Sequence, residues 1–502
     1  MKNTIIVALV ATLFVPAVAS ADTAFSGLTK AWTYNHDWTG VGGQQFSEIS
    51  AFDNITNTLW VAGGVGVDVL DASTGSLVQH IDTSAYGGIN SVAIKNGIAA
   101  FAIESSVKTN PGVVKLFNTT TRTLASGTNS ITVGALPDML TFTADGSKLL
   151  VANEGTPSIY GARIGTTTPR NYGPAKVDPA GSVSIIDMNS RSVIATPGFA
   201  GVTQTGSNIR TNTGMDFEPE YIAVNAAGTK AYVTLQEANA IGELDLNTNT
   251  FTKVIGLGVK DFSAPGNEID PLINGTVAFG SFNVKGLYMP DGIAAYEAGG
   301  QTYLVTANEG DFREDDGDRS TPSTIGAGTV LPNLRISNTD STRSDLYIAG
   351  ARSFSIRDEN GNLIYDSGSI LDKEANLRGI YDDGRSRDKG VEPEGVELMV
   401  IGGKTYAFIG LERTTMGAVA IFDVSNPSTA SFIDMIVTTG DLSPEGLEGF
   451  TMNGMNYLAI ANEVSRTTTV YSLTPVPEPE TYAMLLAGLG LMGFAARRRK
   501  AA

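Results

Sequence analysis

The fold is decided by one stretch, Asp388-Lys389-Gly390-Val391-Glu392-Pro393-Glu394-Gly395-Val396-Glu397-Leu398, in which a Pro, an acid and a Gly lead into an apolar strand. The Pro–acid pair returns along the chain at Pro137-Asp138, Pro219-Glu220, Pro290-Asp291 and Pro444-Glu445. Each copy precedes a second apolar segment that ends in an acid, and those acids are Glu154, Glu237, Glu309, Glu412 and Glu463. Self-similarity of this kind indicates a repeat architecture.

The repeat unit contains four strands. Its first strand begins near an acid or amide in seven copies, at Glu48, Asn90, Asp138, Glu220, Asp291, Glu394 and Glu445. The third strand ends in a residue such as Asp187 or Asp423, whose side chain can bond the backbone two residues on and start a turn. Four antiparallel strands repeated in this way predict an all-β, seven-bladed β-propeller of the YVTN/WD-repeat-like kind over residues 22–474.

The spacing of the repeats is uneven, which predicts long loop insertions. A blade without insertions needs about 40–45 residues. The additional residues of the longer repeats are expected in loops at 153–179, 203–216 and 311–351. Loops of this length are usually functional or disordered. No residues remain for a fourth strand after Leu473, and an open sheet edge invites aggregation. Residues 25–34 are therefore predicted to supply the strand that closes the ring.

Composition excludes several classes of function. The 502 residues carry a net charge of −18, which disfavours nucleic acid and anionic membranes as partners and favours cations. The chain has no Cys and only two His, His36 and His80, so disulfides, thiolate metal sites and most His-based mechanisms are excluded. The sequence contains no G-x-S-x-G elbow, Walker loop or H-E-x-x-H motif.

Both ends of the chain have the pattern of export signals. Residues 1–21 combine Lys2, an apolar run and small residues before Asp22, which predicts a secretory signal peptide for signal peptidase. Residues 475–502 combine Pro477-Glu478-Pro479, a short apolar run and a final basic cluster. About fifteen apolar residues span only about 22 Å, which is short for a bilayer and predicts transient membrane association. This tail resembles a PEP-CTERM signal, which exosortases of Gram-negative bacteria recognise.

Longer motifs occur in order along the body, namely Leu136-Pro137-Asp138-Met139, Glu218-Pro219-Glu220-Tyr221, Met289-Pro290-Asp291-Gly292, Arg352-Ser353-Phe354-Ser355 and Lys389-Gly390-Val391-Glu392-Pro393-Glu394. With these motifs the body resembles the choice-of-anchor I family of exported propeller proteins, which are similar to a mesenchyme-specific cell-surface glycoprotein of animals. The resemblance implies a propeller located at the cell surface, the outer membrane or the extracellular matrix. It implies no catalytic residues.

The repeated acids are the candidate site. In a propeller, the start of the first strand and the end of the second lie on one face, so these acids should surround one mouth of the central channel. Carboxylates and carbonyls without His or Cys suit Ca²⁺. The predicted metal ligands are Glu220, Asp291, Glu309, Glu394 and Glu412, with Asp138, Glu154, Glu237, Glu445 and Glu463 as further acids of the mouth. Alternatively, each acid caps a loop of its own or the next blade.

Two functions remain open. The first is a non-catalytic surface protein that binds exopolysaccharide or a surface protein through the propeller face. The second is a Ca²⁺-dependent phosphoester or lactone hydrolase, because carboxylates at a channel mouth could hold a metal that activates water, as β-propeller phytases do. Arg313, Arg385 and Arg387 lie in mixed-charge loops and could contact an anionic ligand.

Overall fold

Short hairpins generate the sheets because each pair of apolar segments is joined by residues that accept a left-handed backbone. Gly402 and Gly403 have φ values of +59° and +79°, and they join two strands in which Ile401 pairs with Lys404. A two-residue hairpin turn needs positive φ at both central residues, which Gly adopts without steric cost. The sequence therefore fixes both the turn and the register of this hairpin.

The computed structural model describes residues 25–40, 43–328 and 330–475, and Gly27–Thr474 form one compact unit. The predicted signal peptide and nearly all of the predicted sorting tail, with Pro477, Glu478 and Pro479, lie outside the described residues. In the described part of the chain, no helix is both long and apolar enough to cross a membrane.

The strands form successive antiparallel sheets, which we number as blades 1 to 7. Blade 1 contains Gly43–Asp53, Thr58–Gly64, Gly66–Asp71 and Leu77–Asp82. Blade 2 contains Ile89–Lys95, Ile98–Ile103, Pro111–Asn118 and two outer segments, Thr123–Leu124 and Ser130–Ala135. Blade 3 contains Pro137–Phe142, Lys148–Asn153, Ser182–Asp187 and Ser192–Ala195. Blade 4 contains Ile222–Val224, Lys230–Leu235, Ala240–Asp245 and Thr250–Leu257, with Thr203–Ser207 added in parallel.

Blade 5 contains Ile293–Ala298, Gln301–Asn308, Ser353–Asp358 and Leu363–Asp366. Blade 6 contains Pro393–Ile401, Lys404–Leu411, Gly417–Asp423 and Ser431–Thr438. Blade 7 contains Pro444–Met452, Met455–Asn462 and Thr467–Pro475, and Phe25–Asn35 is its outermost strand. The predicted all-β propeller fold is confirmed, and so is the prediction that the N-terminal strand completes the last blade.

The insertions have structure of their own. Their short strands are Thr39–Gly40, Arg163–Ile164, Asn171–Tyr172, Val259–Asp261, Lys285–Leu287, Arg319–Ser320, Ile336–Ser337 and Tyr347–Ile348. Helical segments span Ile370–Leu377, Asp383–Arg385 and Pro427–Thr429. Phe262, Leu334, Ile336 and Ile348 are buried together in a small core between two insertions. The sequence predicted the longest loop at residues 311–351 but gave no indication of this core.

The main core lies between neighbouring blades. Buried Val, Ile, Leu and Ala side chains of one blade pack against the facing side of the next, as Leu150 and Val183 of blade 3 do against Val233 of blade 4. The first strands leave a central cavity of about 460 Å³, lined by residues such as Ile49, Leu140 and Ile293. The predicted acids lie at the starts of these first strands and therefore at one end of this cavity.

Candidate functional site

The residue before the repeated Pro places the two acids of a blade side by side. Leu136, Met289, Glu392 and Ser443 each precede Pro and have φ values between +45° and +56°. In this left-handed conformation the carbonyl of Glu392 accepts from the backbone N–H of Glu412 at 2.9 Å. The carbonyls of Leu136 and Ser443 accept from Glu154 and Glu463 at the same distance. The acid that ends the second strand is thus bound to the start of the first.

The Gly after the acid brings neighbouring blades together. A Cβ atom at Gly395 would lie 2.1 Å from the carbonyl oxygen of Glu445, in the next blade. The same approach occurs between Gly446 and Glu48, at 2.3 Å, where blade 7 meets blade 1. Only Gly permits such proximity of two backbones. The Pro–acid–Gly unit therefore draws the acids of successive blades around one opening.

We define the acidic mouth as Glu48, Asp138, Glu220, Asp291, Glu394 and Glu445, the six acids at the starts of first strands. All six side chains are half-buried. Burial, and then repulsion from neighbouring acids, raises the pKa of Glu48 to about 8 and that of Asp138 to about 6. The same causes raise the pKa values of Glu220, Asp291, Glu394 and Glu445 well above the usual range. The structure thus brings these predicted acids together.

The second set of acids surrounds the mouth. Burial raises the pKa values of Glu237 and Glu412 to about 8, and it raises those of Glu154 and Glu309 as well. Several oxygens have no hydrogen-bond partner among the described residues although they are buried, namely Oε2 of Glu237, Glu394 and Glu445. Carboxylates at 4 Å repel by about 1 kcal/mol in water and more when desolvated. Protons or a bound cation would offset this repulsion.

Acids beside the mouth already pair with cations of the protein. Glu309, Glu392 and Glu412 present carboxylate oxygens within 4.8 Å of one another. Lys389 Nζ lies 2.5 Å from Glu309 and 2.9 Å from Glu392, while Arg413 contacts Glu412 at 2.6 Å. Because these pairs neutralise charge locally, a metal at this group would have to compete with Lys389 and Arg413. Glu412 is therefore a weaker candidate ligand than the sequence suggested.

In a neighbouring group, two of three acids remain open to a metal, while Glu309 contacts Lys389 and Gln236. Asp291, Glu309 and Glu394 also present carboxylate oxygens within 4.8 Å of one another. Neither Asp291 nor Glu394 forms an ion pair within the residues that the structure describes. Oxygens bound to one Ca²⁺ at about 2.3–2.6 Å can be separated by at most about 4.6–5.2 Å. This group could hold Ca²⁺ without rearrangement of the backbone.

Comparison with known proteins identifies the family. A family model of the choice-of-anchor I domain matches residues 48–427. The chain belongs to the choice-of-anchor I family. The PEP-CTERM protein-sorting motif matches residues 475–500, so this choice-of-anchor I protein is exported, processed by exosortase and associated with the cell surface of a Gram-negative bacterium. No curated protein matches the chain.

Solved structures resemble this choice-of-anchor I protein at low sequence identity. Hydrazine synthase from Kuenenia stuttgartiensis superposes with a TM-score of 0.51 at 11% identity, over 86% of this chain and 96% of that chain. A WD40 domain from Toxoplasma gondii coronin gives 0.46 at 10% identity, over 91% and 88%. The first likeness shows the fold alone, and the second is too weak to carry an argument.

The three predicted anion contacts have different surroundings. Arg313 is 1% exposed, donates to Asp315 and to the carbonyls of Thr213 and Gly161, and stacks on Tyr172. It holds two insertions together and cannot reach an external anion in this arrangement. Arg385 donates to Glu392 and is 30% exposed. Arg387 is half-buried without an ion pair in the described residues, so it remains available to an anion.

Two acids that were not predicted from the sequence, Glu397 and Glu448, line the central cavity. Glu448 accepts from the backbone N–H of Phe52 at 3.0 Å, and Glu397 accepts from that of Gly449. Each acid thus bonds the first strand of the next blade, and burial raises the pKa of Glu448 to about 7. The signal that could have found them is the second acid of the repeated P-E-G-V-E and P-E-G-L-E motifs, which recurs at the same position in blades 6 and 7.

Both histidines belong to one buried cluster. His36 Nδ1 lies 2.7 Å from Asp68, and His80 Nδ1 lies 2.6 Å from the other oxygen of the same carboxylate. His36 Nε2 contacts the hydroxyl of Thr468 at 2.8 Å. This hydroxyl–His–acid chain has the order of a catalytic triad, but Asp68 and Thr468 have no exposed surface. We call it the closure cluster, because it joins the N-terminal strand to blades 1 and 7.

Proposed function

We propose that this exported choice-of-anchor I protein is a non-catalytic surface binding protein whose acidic mouth holds Ca²⁺. The observation that carries the proposal is the group Asp291, Glu309 and Glu394, in which three carboxylate oxygens converge within 4.8 Å and Glu394 Oε2 has no partner. Lys389 neutralises only one of these three acids. A divalent cation supplies the charge that the group lacks.

The chemistry of the group favours a hard cation. It offers only carboxylate oxygens, which suit Ca²⁺ or Mg²⁺ and not a transition metal that prefers His or Cys. Three protein oxygens leave coordination positions for water or an external ligand, since Ca²⁺ takes about six to eight oxygens. The mouth would thus present a partly hydrated cation at the end of the channel.

The net charge of the chain indicates which ligands would need a bound cation in order to bind. A chain with a net charge of −18 repels an acidic polysaccharide or an acidic surface protein. Arg387 lies seven positions before Glu394, an acid of the mouth. A cation in the mouth, together with Arg387, would create an anion-binding site on this acidic surface. We therefore propose carboxylate-bearing exopolysaccharide as the ligand class, bound only when Ca²⁺ is present.

The test is calorimetry of the full chain with Ca²⁺ and then with polygalacturonate as an acidic polysaccharide probe. We expect Ca²⁺ binding that raises the melting temperature by mass action, and polysaccharide binding that disappears after chelation. Glu394→Gln should weaken Ca²⁺ binding by about tenfold or more, because affinity follows the charge of the ligands. Glu397→Gln is the matched control, since this acid lies on the same strand inside the channel.

Two outcomes would contradict the proposal. One is equal Ca²⁺ affinity in Glu394→Gln and Glu397→Gln. The other is polysaccharide binding that persists after chelation in the unchanged protein.

Hydrolysis of a phosphoester or lactone is the second candidate. It is favoured by the same open coordination positions, where a metal could orient and activate water. Glu220 and Glu412 are close enough to Asp291 to repel its carboxylate. In that case these two acids would position the water and the substrate. Saturable, Ca²⁺-dependent turnover of 4-nitrophenyl phosphate or of a simple lactone, abolished in Glu394→Gln, would establish this function instead of simple binding.

A further inference from the structure

A second group of acids lies where two insertions meet beside blade 4. Asp178 is near the end of insertion 153–179, Asp216 ends insertion 203–216, and Glu218 precedes the first strand of the blade. The insertions are already paired by backbone, since the N–H of Ala175 donates to the carbonyl of Gly214 at 2.9 Å. The three acids therefore come from separate segments that the fold brings together.

The geometry of this group fits one cation. Asp178, Asp216 and Glu218 each offer one carboxylate oxygen, and these oxygens lie within 4.8 Å of one another. Oxygens this close together can bind one Ca²⁺, since two ligands at about 2.3–2.6 Å from the ion lie at most about 4.6–5.2 Å apart. Asp216 Oδ2 also accepts from the N–H of Gly181 at 3.0 Å, which fixes the orientation of this carboxylate.

A second observation separates this group from an ordinary acidic patch. Glu218 is only 4% exposed, and its Oε1 is buried without any hydrogen-bond partner in the described residues. Asp178 Oδ1 is likewise buried and without a partner. A buried carboxylate oxygen without a partner carries a desolvation cost that a native structure normally offsets with a ligand, a water or a proton.

Local charge also distinguishes this group from two acids beside the mouth. Glu309 and Glu412 have Lys389 and Arg413 as partners. In the described ranges, by contrast, no Lys or Arg forms an ion pair with Asp178, Asp216 or Glu218. Desolvation, with repulsion from Asp178, raises the pKa of Asp216 to about 6. Burial, then repulsion from Glu237 and Glu154 and from the other two acids of the group, raises the pKa of Glu218 well above its usual range. The group therefore lacks the protein cations that Glu309 and Glu412 contact.

We propose that Asp178, Asp216 and Glu218 form a Ca²⁺ site that joins insertions 153–179 and 203–216 to blade 4. This site is distinct from the acidic mouth and does not depend on the proposed binding function. Backbone carbonyls and water would supply the remaining oxygens. Its role is to order the two insertions at the rim of the propeller when Ca²⁺ is present outside the cell.

The experiment is limited proteolysis of the full chain with CaCl₂ or with chelator, followed by mass mapping of the cuts. In the unchanged protein we expect Ca²⁺ to slow cleavage within residues 153–216 by about tenfold or more, because proteolysis follows the population of locally open states. Glu218→Gln keeps the shape of the side chain but removes its charge, so it should abolish this protection. Glu394→Gln changes only the mouth and should keep it.

A thermal melt shows whether Glu218→Gln folds. In chelator the variant should melt at or above the temperature of the unchanged protein, because an amide replaces a buried carboxylate that lacks a partner. In CaCl₂ the order should reverse. Ca²⁺-independent cleavage of the unchanged protein, or equal protection in Glu218→Gln, would overturn the proposal. Loss of protection in Glu394→Gln but not in Glu218→Gln would place the only Ca²⁺ site in the mouth.

Discussion

Gly395 illustrates how a single atom sets the spacing of the mouth. Its missing Cβ leaves room for the carbonyl oxygen of Glu445, which would otherwise be 2.1 Å away. The neighbouring backbone belongs to the first strand of another blade and cannot move without disturbing the ring. The glycine is therefore required for the contact between blades and not for a turn.

Gly395→Ala should lower the free energy of unfolding by about 1–3 kcal/mol, because it forces a methyl group into close-packed backbone. Urea unfolding at fixed Ca²⁺ concentration measures the change. Gly328→Ala is the control, since a Cβ there meets nothing within 4 Å. A loss no larger than that of the control would show that blades 6 and 7 are not in this contact.

At the residue scale, sequence reasoning identified the acids but not their partners. The repeated Pro–acid pair marked Asp291 and Glu394 because the motif itself recurs. The pairing of Lys389 with Glu309 joins residues 80 positions apart, and no local pattern reports such a contact. The left-handed φ of Glu392 was equally hidden, since the residue before Pro ordinarily adopts an extended conformation.

The closure cluster shows how two ends of the chain are held at the scale of strands. Asp68, on the third strand of blade 1, accepts from both histidines, one of which directly follows the N-terminal strand. Thr468 lies on strand Thr467–Pro475 of blade 7, and its hydroxyl contacts His36 and also Ser47 of blade 1. Three blade segments thus depend on a single buried carboxylate.

Asp68→Ala should destabilise the protein by about 3–5 kcal/mol, because it leaves buried partners of a charged group unsatisfied. Thermal or urea unfolding would show the loss. Asp71→Asn is a suitable control on the same strand, since Asp71 only accepts from exposed Ser73 and Thr74 in a turn. A difference below about 1 kcal/mol between the two variants would mean that the cluster does not hold the ring closed.

The elements themselves were largely predictable, and the insertions were not. Alternation and turn residues located the blade strands, and the missing fourth strand of blade 7 pointed to the N-terminal segment. The insertions lack a repeated pattern, so nothing in the sequence showed that Phe262 and Leu334 share a small core. Nor could it show that Asp178 meets Glu218, because that contact depends on how two irregular loops pack.

At the scale of the whole molecule, the buried acids make stability depend on pH. The pKa values of Glu48, Glu237 and Glu412 are raised to about 8, and that of Glu448 to about 7. The folded chain therefore holds these protons more tightly than the unfolded chain, whose carboxyl groups titrate near pKa 4.3. The free energy of unfolding should thus rise as pH falls through the folded pKa values.

In chelator, we expect the free energy of unfolding to increase by about 3 kcal/mol or more between about pH 9 and about pH 6, since one carboxyl group with a folded pKa of about 8 alone contributes about 2.7 kcal/mol over this range. Urea unfolding at several pH values measures this. Saturating Ca²⁺ should flatten the profile, because the cation stabilises the ionised acids. The double variant Glu48→Gln/Glu448→Gln should flatten it without Ca²⁺. A free energy of unfolding that decreases in chelator as pH is lowered from about 9 to about 6 would contradict the assignment of buried, protonated acids.

Closure of the ring by the N-terminal strand also imposes an order of events in time. The hydroxyls of Thr33 and Thr469 meet at 2.9 Å across 436 positions of sequence. The entropy cost of closing a loop grows with the logarithm of its length, and a tenfold longer loop adds about 2 kcal/mol. The N-terminal strand is exported first, but it cannot pair until blade 7 has also been exported. During that delay its unpaired edge can join another nascent chain. Secretion rate, and not only stability, therefore governs how much of this protein assembles correctly.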